Sequence, residues 1–196
     1  HASKHKPSMA IYIDLSKAYD TISHEKLIRK MKEEFNFSSE TVQFFKSYLT
    51  NRQQSTHTQH AQSRTRTITH GIPQGSTLST TFFLLYINNI IATVPRSKVY
   101  TYADDTTLVV TANTTKDLQA LAQSELSNLI SYFHELDLVP NGTKTVHTVF
   151  YPKHDQLELK MGKETLQQVP KAPLLGITVQ RNLKWRETMA VRVGKL

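Results

Sequence analysis

The chain contains no cysteine, which excludes disulfide staples and thiolate-bound metal. It is also poor in carboxylates, with 16 Asp and Glu against 24 Lys and Arg, a formal net charge of +8. That sign suits a polyanionic partner. The cations run from Lys26 and Arg29 through Arg64 and Arg66 to Lys171, Arg181, Arg192 and Lys195. Such a spread suggests a basic face or groove more than a tail. Long apolar runs are missing as well. The longest, Phe82-Phe83-Leu84-Leu85-Tyr86-Ile87, stops at Asn88-Asn89, too short to span a bilayer and expected to be a buried helix. The segment His1–Pro7 lacks the apolar stretch of a secretory leader and any initiator Met, so the sequence is expected to be a piece of something longer. No repeat, low-complexity tract or linker divides the 196 residues, and 38% of them are hydrophobic. One folded domain over residues 1–196 is the expectation.

What is present alternates between helix and strand patterns. Met9-Ala10-Ile11-Tyr12-Ile13 is a nearly continuous apolar run, a strand buried on both faces, and Asp14 closes it. Ser23 is placed to cap a helix running to about Phe35, with Leu27, Ile28 and Met31 inward and Lys26, Arg29, Lys30 and Lys32 facing elsewhere. Ser38 caps a second helix bearing Val42, Phe45 and Leu49. Arg52–His70 is polar and predicts a solvated hairpin, followed by a glycine-bearing turn and a long helix from about Ser76 to Ala92. A further helix carries Leu118, Leu121, Ala122, Leu126, Leu129, Ile130 and Phe133; Asn141-Gly142 is a turn, Val146–Tyr151 a strand, and 157–179 short strands. Helices mixed with a mostly antiparallel sheet make an α+β fold.

The chemistry-bearing feature is Tyr102-Ala103-Asp104-Asp105, a tight turn between two runs of β-branched and aromatic residues. A polar turn is the ordinary use of Asp. Asp14, at the end of another buried strand, makes a third carboxylate available. Crowded carboxylates are tolerable where divalent cations sit among them. Nucleotidyl transfer uses such ions in pairs, roughly 3.5–4 Å apart. Mg²⁺ takes one or two carboxylates and leaves the remaining positions to phosphate oxygens. Zinc is a poor alternative, since there is no Cys and no His-Glu-x-x-His, and His57 and His60 lie in a polar segment.

On these residues the chain resembles the palm of a reverse transcriptase, most similar to those of non-LTR (LINE-type) retrotransposons. Asp14-Leu15-Ser16-Lys17-Ala18-Tyr19-Asp20 matches the family's first block. Gly71-Ile72-Pro73-Gln74-Gly75-Ser76-Thr77-Leu78-Ser79 matches the second and Tyr102-Ala103-Asp104-Asp105 the third. Leu138 to Thr145 with Phe150 resembles the fourth, and Leu174-Leu175-Gly176-Ile177 with Asn182, Leu183 and Trp185 the fifth. The pattern departs from the family at Thr80-Thr81, Asn89 and Thr188.

The resemblance implies an RNA-directed DNA polymerase that binds an RNA template, a DNA primer and dNTPs, uses two Mg²⁺ (or Mn²⁺) ions, and works in the nucleus. It implies Asp14, Asp104 and Asp105 as metal ligands and Lys144 beside the leaving pyrophosphate. Leu15, Tyr19, Gln74 and Gly75 would face the nucleotide, with Tyr19 blocking a ribose 2′-OH, and Leu175-Gly176 would grip the primer. Read without the family, Tyr19 is an aromatic at a core edge, Gln74 and Asp20 are turn residues, Lys144 is a solvated lysine and Trp185 is core. The family's fingers precede the first block and its thumb follows the fifth. Thirteen residues precede Asp14 and eleven follow Trp185, so both are expected to be largely missing and the isolated chain to extend primers weakly or not at all. Two other classes remain: a catalytically inactive nucleic-acid-binding remnant of such an element, and a group II intron maturase-like protein.

Overall fold

The structure, a computed structural model, describes residues 6–151 and 156–183. Trp185, Thr188 and the cations Lys153, Lys184, Arg186, Arg192 and Lys195 lie outside the described residues. In chain order the elements are β1 (Ser8–Ile13), β2 (Leu15–Ser16), α1 (His24–Glu33), α2 (Ser39–Leu49), β3 (Gln53–Gln54), β4 (Arg66–Thr67), α3 (Ser79–Tyr86), a 3₁₀ turn (Asn88–Thr93), β5 (Lys98–Tyr102) and β6 (Asp105–Thr111). They continue with α4 (Thr115–Glu135), β7 (Val139–Pro140), β8 (Val146–Tyr151), β9 (Lys160–Met161), β10 (Glu164–Thr165), β11 (Gln167–Gln168), β12 (Lys171–Leu174) and β13 (Ile177–Gln180). The α+β expectation holds. Among the described residues no helix is long and apolar enough to cross a membrane.

The chain gathers into two compact units. One takes the described residues up to Ser16, Asn89–Phe133 and those from Pro140 onward; the other takes Lys17–Asn88 and His134–Val139. The first is built on a five-stranded sheet of order β11-β8-β1-β6-β5, antiparallel except where β11 joins β8. Side chains alternate across it. Met9, Ile11, Ile13, Leu108, Val110 and Val149 lie on one face and are buried, as is the α4 stripe of Leu118, Ala122, Leu126, Leu129 and Phe133. These residues form the unit's core, each fully buried Leu-sized side chain being worth about 1.5–3 kcal/mol. The other face presents Ala10, Tyr12, Thr107 and Val109 to a cavity shared with the β12–β13 hairpin.

The second unit is helical. Ser23 accepts from the Lys26 N–H (3.3 Å) and Ser38 from the Thr41 N–H (3.3 Å), the two caps anticipated from sequence. Phe45 meets Phe82 edge-on at 5.2 Å, while Ile22, Leu27, Met31, Leu49, Phe82, Phe83 and Tyr86 are fully buried. Two expectations need correction. The helix expected from Ser76 to Ala92 is α-helical only over Ser79–Tyr86. At its front, Ser76 and Ser79 are spent in turns, Ser79 Oγ donating to the Pro73 carbonyl; behind it, Asn88-Asn89, poor helix formers, start a 3₁₀ turn. Lys30, assigned to the solvent face, is buried, with its ammonium paired to Glu34 at 2.8 Å. Its stem covers apolar surface while the charge reaches a partner one turn on.

Candidate active site

The β5–β6 hairpin is tighter than the sequence suggested. Tyr102 and Asp105 are themselves paired, which leaves Ala103 and Asp104 as a two-residue turn. Ala103 sits at φ 52°, the left-handed region that costs an L-residue about 1 kcal/mol or more. A non-glycine held there fixes the direction in which Asp104 leaves the turn. The β1–β6 register runs from Ser8 opposite Thr111 to Ile13 opposite Thr106. Asp14 follows Ile13 and Asp105 precedes Thr106, so the end of the paired register leaves the two carboxylates close enough for Asp105 to feel the charge of Asp14, beside Asp104.

Asp14 is held by its backbone from both sides. Its N–H donates to Thr145 Oγ1 (3.2 Å), and its carbonyl accepts from the Asn141 N–H (2.8 Å). Thr145 is fully buried. The Asn141 side chain closes the same turn, accepting from the Thr143 hydroxyl (2.7 Å) and the Lys144 N–H (3.3 Å). Lys144 therefore rides, exposed, on the turn that clamps Asp14. The sequence marks Asn141 as a turn residue and Thr145 as part of the fourth block, but not their hold on Asp14, since a hydrogen bond across 131 positions leaves no local signal.

The carboxylates feel one another. The Asp105 carboxyl is held above its ordinary value, by burial first and then by the charges of Asp104 and Asp14. Among the described residues no three acidic or imidazole groups close around a single point as a finished metal cage. An all-oxygen set that is crowded but open fits a hard divalent ion that keeps positions for phosphate oxygens, and it does not fit zinc. Leu15, expected near the nucleotide, has its side chain buried.

A cavity of about 360 Å³ adjoins Asp105, lined by Tyr12, Tyr100, Tyr102, Phe150, Leu174 and Leu175 among others. Leu175 (φ 48°) and Gly176 (φ 76°) form the β12–β13 turn, whose strands pair Leu174 with Ile177. Two successive left-handed residues suit the twist of a tight hairpin, but Leu is a costly choice for the first. Leu175 is nonetheless 53% exposed, an apolar side chain held at a strained tip on the cavity that contains Asp105.

Tyr19, Asp20, Gln74 and Gly75 belong to the second unit. Tyr19 stacks on Phe83 with centroids 5.2 Å apart, and its carbonyl accepts from the Ile72 N–H (2.8 Å). The Gly71 N–H donates to the Ile22 carbonyl (2.7 Å), and a Cβ at Gly71, where φ is 85°, would lie 2.9 Å from the Asp20 carbonyl oxygen. Only glycine fits that approach. The Gln74 amide donates to Asp20 Oδ1 (2.9 Å), with both residues exposed. The first and second sequence blocks are thus fastened together at Tyr19–Ile22 and Gly71–Gln74.

Residues 1–179 match the family model described as reverse transcriptase (RNA-dependent DNA polymerase). A probable RNA-directed DNA polymerase from transposon BS of Drosophila melanogaster is 28% identical over 186 residues, covering 89% of this chain and 20% of that protein. Among solved structures, apo telomerase from Candida tropicalis, truncated from its C-terminal domain, superposes with a TM-score of 0.64 at 13% identity, over 93% of this chain and 36% of that one. Telomerase from Candida albicans, solved with a fragment of telomeric RNA, gives 0.60 at 15% identity, over 90% of this chain and 30% of that one. The likeness to the telomerases is one of fold. The chain spans about a fifth of its transposon relative and about a third of the telomerase chains.

Proposed function

The chain belongs to the reverse transcriptase family, and from that premise we propose that it is the palm of an RNA-directed DNA polymerase of a non-LTR retrotransposon, adding dNTPs to a primer 3′ end on an RNA template. The observation that carries this reading is the carboxylate group itself: Asp14 and Asp105 next beyond the paired Ile13 and Thr106, Asp104 in the adjoining turn, and the Asp105 carboxyl raised by burial and then by the charges of Asp104 and Asp14. Asp14, Asp104 and Asp105 would hold two divalent ions, Mg²⁺ or Mn²⁺, which when bound neutralise charge developing on the attacking and leaving oxygens. The residues do the positioning. Thr145 and Asn141 fix the backbone that aims Asp14, and the same turn offers Lys144 as a cation and proton donor for a departing pyrophosphate. Leu175 and Gly176 would press on the primer strand. Tyr19, backed by Phe83, would present its ring to the ribose 2′ position, with Gln74 and Gly75 against the nucleotide and template base.

Asp104→Asn tests the reading. The substitution keeps size and removes one charge. Metal-dependent stabilisation is worth several kcal/mol, so primer extension, measured with the native flanking segments attached, should fall about a thousandfold or more at 1.36 kcal/mol per tenfold, while the melting temperature without divalent ions holds or rises. Extension near that of the unsubstituted chain would remove Asp104 from the metal site and the proposal with it.

A further inference from the structure

One element of the second unit, the ribbon of β3 and β4, has no part in the site above and lies in a stretch without carboxylates. From Thr41 to Ala103 the chain has no Asp or Glu, yet carries Lys46, Arg52, Arg64, Arg66, Arg96 and Lys98. Within it the β3–β4 ribbon pairs Gln53 with Thr67 and Gln54 with Arg66, and the Ile68 N–H donates to the Arg52 carbonyl (2.9 Å). Further out, the Thr56 N–H donates to Ser63 Oγ (2.9 Å), the Ser63 N–H to the Thr56 carbonyl (2.9 Å), and His57 bridges Gln62. From Arg52 to Thr67 every residue but Ser55, which is half-buried, is exposed, and Ala61 is the one aliphatic side chain. A two-stranded ribbon with no apolar face to bury is marginal in water, so core packing does not account for its composition.

The ribbon is bulged. Gln54 lies opposite Arg66, while further out Thr56 meets Ser63 and His57 meets Gln62, so the second strand carries one extra residue between Gln62 and Arg66. At the bulge a cleft of about 380 Å³ is lined by Arg64 and Arg66 together with Gln54, Thr56, Ser63 and Thr67, so the two arginines open onto one space. Arg52 is steered by Tyr48, its guanidinium 5.4 Å above the ring centroid. Among the described residues none of the three makes an ion pair. Arginines flanked by hydroxyls and amides, with no nearby carboxylate, match the groups that bind phosphodiester oxygens.

We propose that the β3–β4 ribbon is an RNA-binding arm, its cleft between Arg64 and Arg66 seating the phosphodiester backbone of single-stranded RNA. The choice of RNA rests on the polymerase reading; the phosphate-binding face rests on the ribbon alone. The test is binding of a short, labelled, mixed-sequence single-stranded RNA by fluorescence anisotropy, in an Asp104→Asn background. Chemistry is then absent throughout, so failure of the polymerase reading leaves the result interpretable. Arg64→Gln with Arg66→Gln should weaken binding about tenfold and flatten the slope of log K against log salt by about 1.4, two contacts at about 0.7 each. Arg64→Lys with Arg66→Lys, which keeps both charges, should retain the slope. Melting temperatures should match, because both side chains are exposed. Unchanged affinity and slope in the Gln pair overturns the proposal. So does displacement of the RNA by polyglutamate at equal charge, which would mark the face as one for acidic protein.

Discussion

Asp105 lies just beyond the paired Ile13 and Thr106 and next to Asp104, where the charges of Asp104 and Asp14 disfavour its own. Burial and both neighbours hold its carboxyl above the ordinary value of 3.8. The folded chain thus keeps a proton that the unfolded chain has already released. The stability tied to that proton is complete below about 3.8 and is lost as pH rises through the higher folded value. Asp105→Asn, which resembles the protonated form at every pH, should melt higher than the unsubstituted chain at neutral pH in a chelator. The gain should shrink towards zero as pH falls below the unfolded value. Divalent ions should reverse the order by stabilising only the chain that retains Asp105. The checking measurement is thermal melting across that pH range with and without Mg²⁺; a gain independent of pH would mean that the substitution acts through packing. Of this residue-scale picture, the identities of Asp14, Asp104 and Asp105 were legible in the sequence, because a turn between β-branched runs can be read locally. That Asp14 comes within reach of Asp105 was not, since pairing between strands some ninety positions apart is set by folding and not by periodicity. Alternation along Ala10, Tyr12 and Asp14 was the one available signal, and it places Tyr12 on the carboxylate face.

Individual elements were easier to read where a local device sets them. Ser23 and Ser38 cap α1 and α2 as their positions suggested, and the 3.6-residue spacing of Leu118, Ala122, Leu126, Leu129 and Phe133 is the buried stripe of α4. The helix after Gly75 failed because apolar content gives no boundary; the ends of α3 come from serine-held turns and paired asparagines. Nor did the sequence reveal what α3 is for. Tyr86, fully buried near its end, donates its hydroxyl to the Leu136 carbonyl (2.7 Å) and accepts from the Ser23 N–H (3.3 Å). Burial is the main reason its phenol is pushed up to about 12, so it remains a donor throughout the working range. One hydroxyl ties the cap of α1 to the segment after α4. Tyr86→Phe keeps the ring but leaves a buried carbonyl and N–H without that partner, at about 1–3 kcal/mol. Denaturant unfolding should show the unfolding free energy falling by that amount through a lower midpoint, with the slope unchanged. A shift within error would mean that water replaces the hydroxyl.

At the scale of the whole molecule, the charge balance decides how nucleic acid is met. The net +8 is unevenly drawn: three of the 16 carboxylates crowd one hairpin and the strand beside it, and none occurs from Thr41 to Ala103. A bound strand would meet repulsion near Asp104 and Asp105 unless divalent ions intervene, and attraction along the arginine-bearing ribbon. Binding should therefore weaken steeply with monovalent salt, because each phosphate neutralised releases condensed counterions. For four to six contacts the slope of log K against log salt should be about −3 to −5. Adding Mg²⁺ at constant monovalent salt acts in two opposed ways. It competes for phosphates, which lowers affinity everywhere, and it relieves the carboxylate repulsion, which raises affinity at one place. The Asp104→Asn chain has less repulsion to relieve, so the same Mg²⁺ addition should cost it more affinity than it costs the unsubstituted chain. Titrations of both chains against one RNA–DNA primer-template, with and without Mg²⁺, make the comparison. Equal losses in the two would separate the carboxylates from the bound strand, whereas a flat salt response in both would remove the phosphate backbone as the main source of affinity.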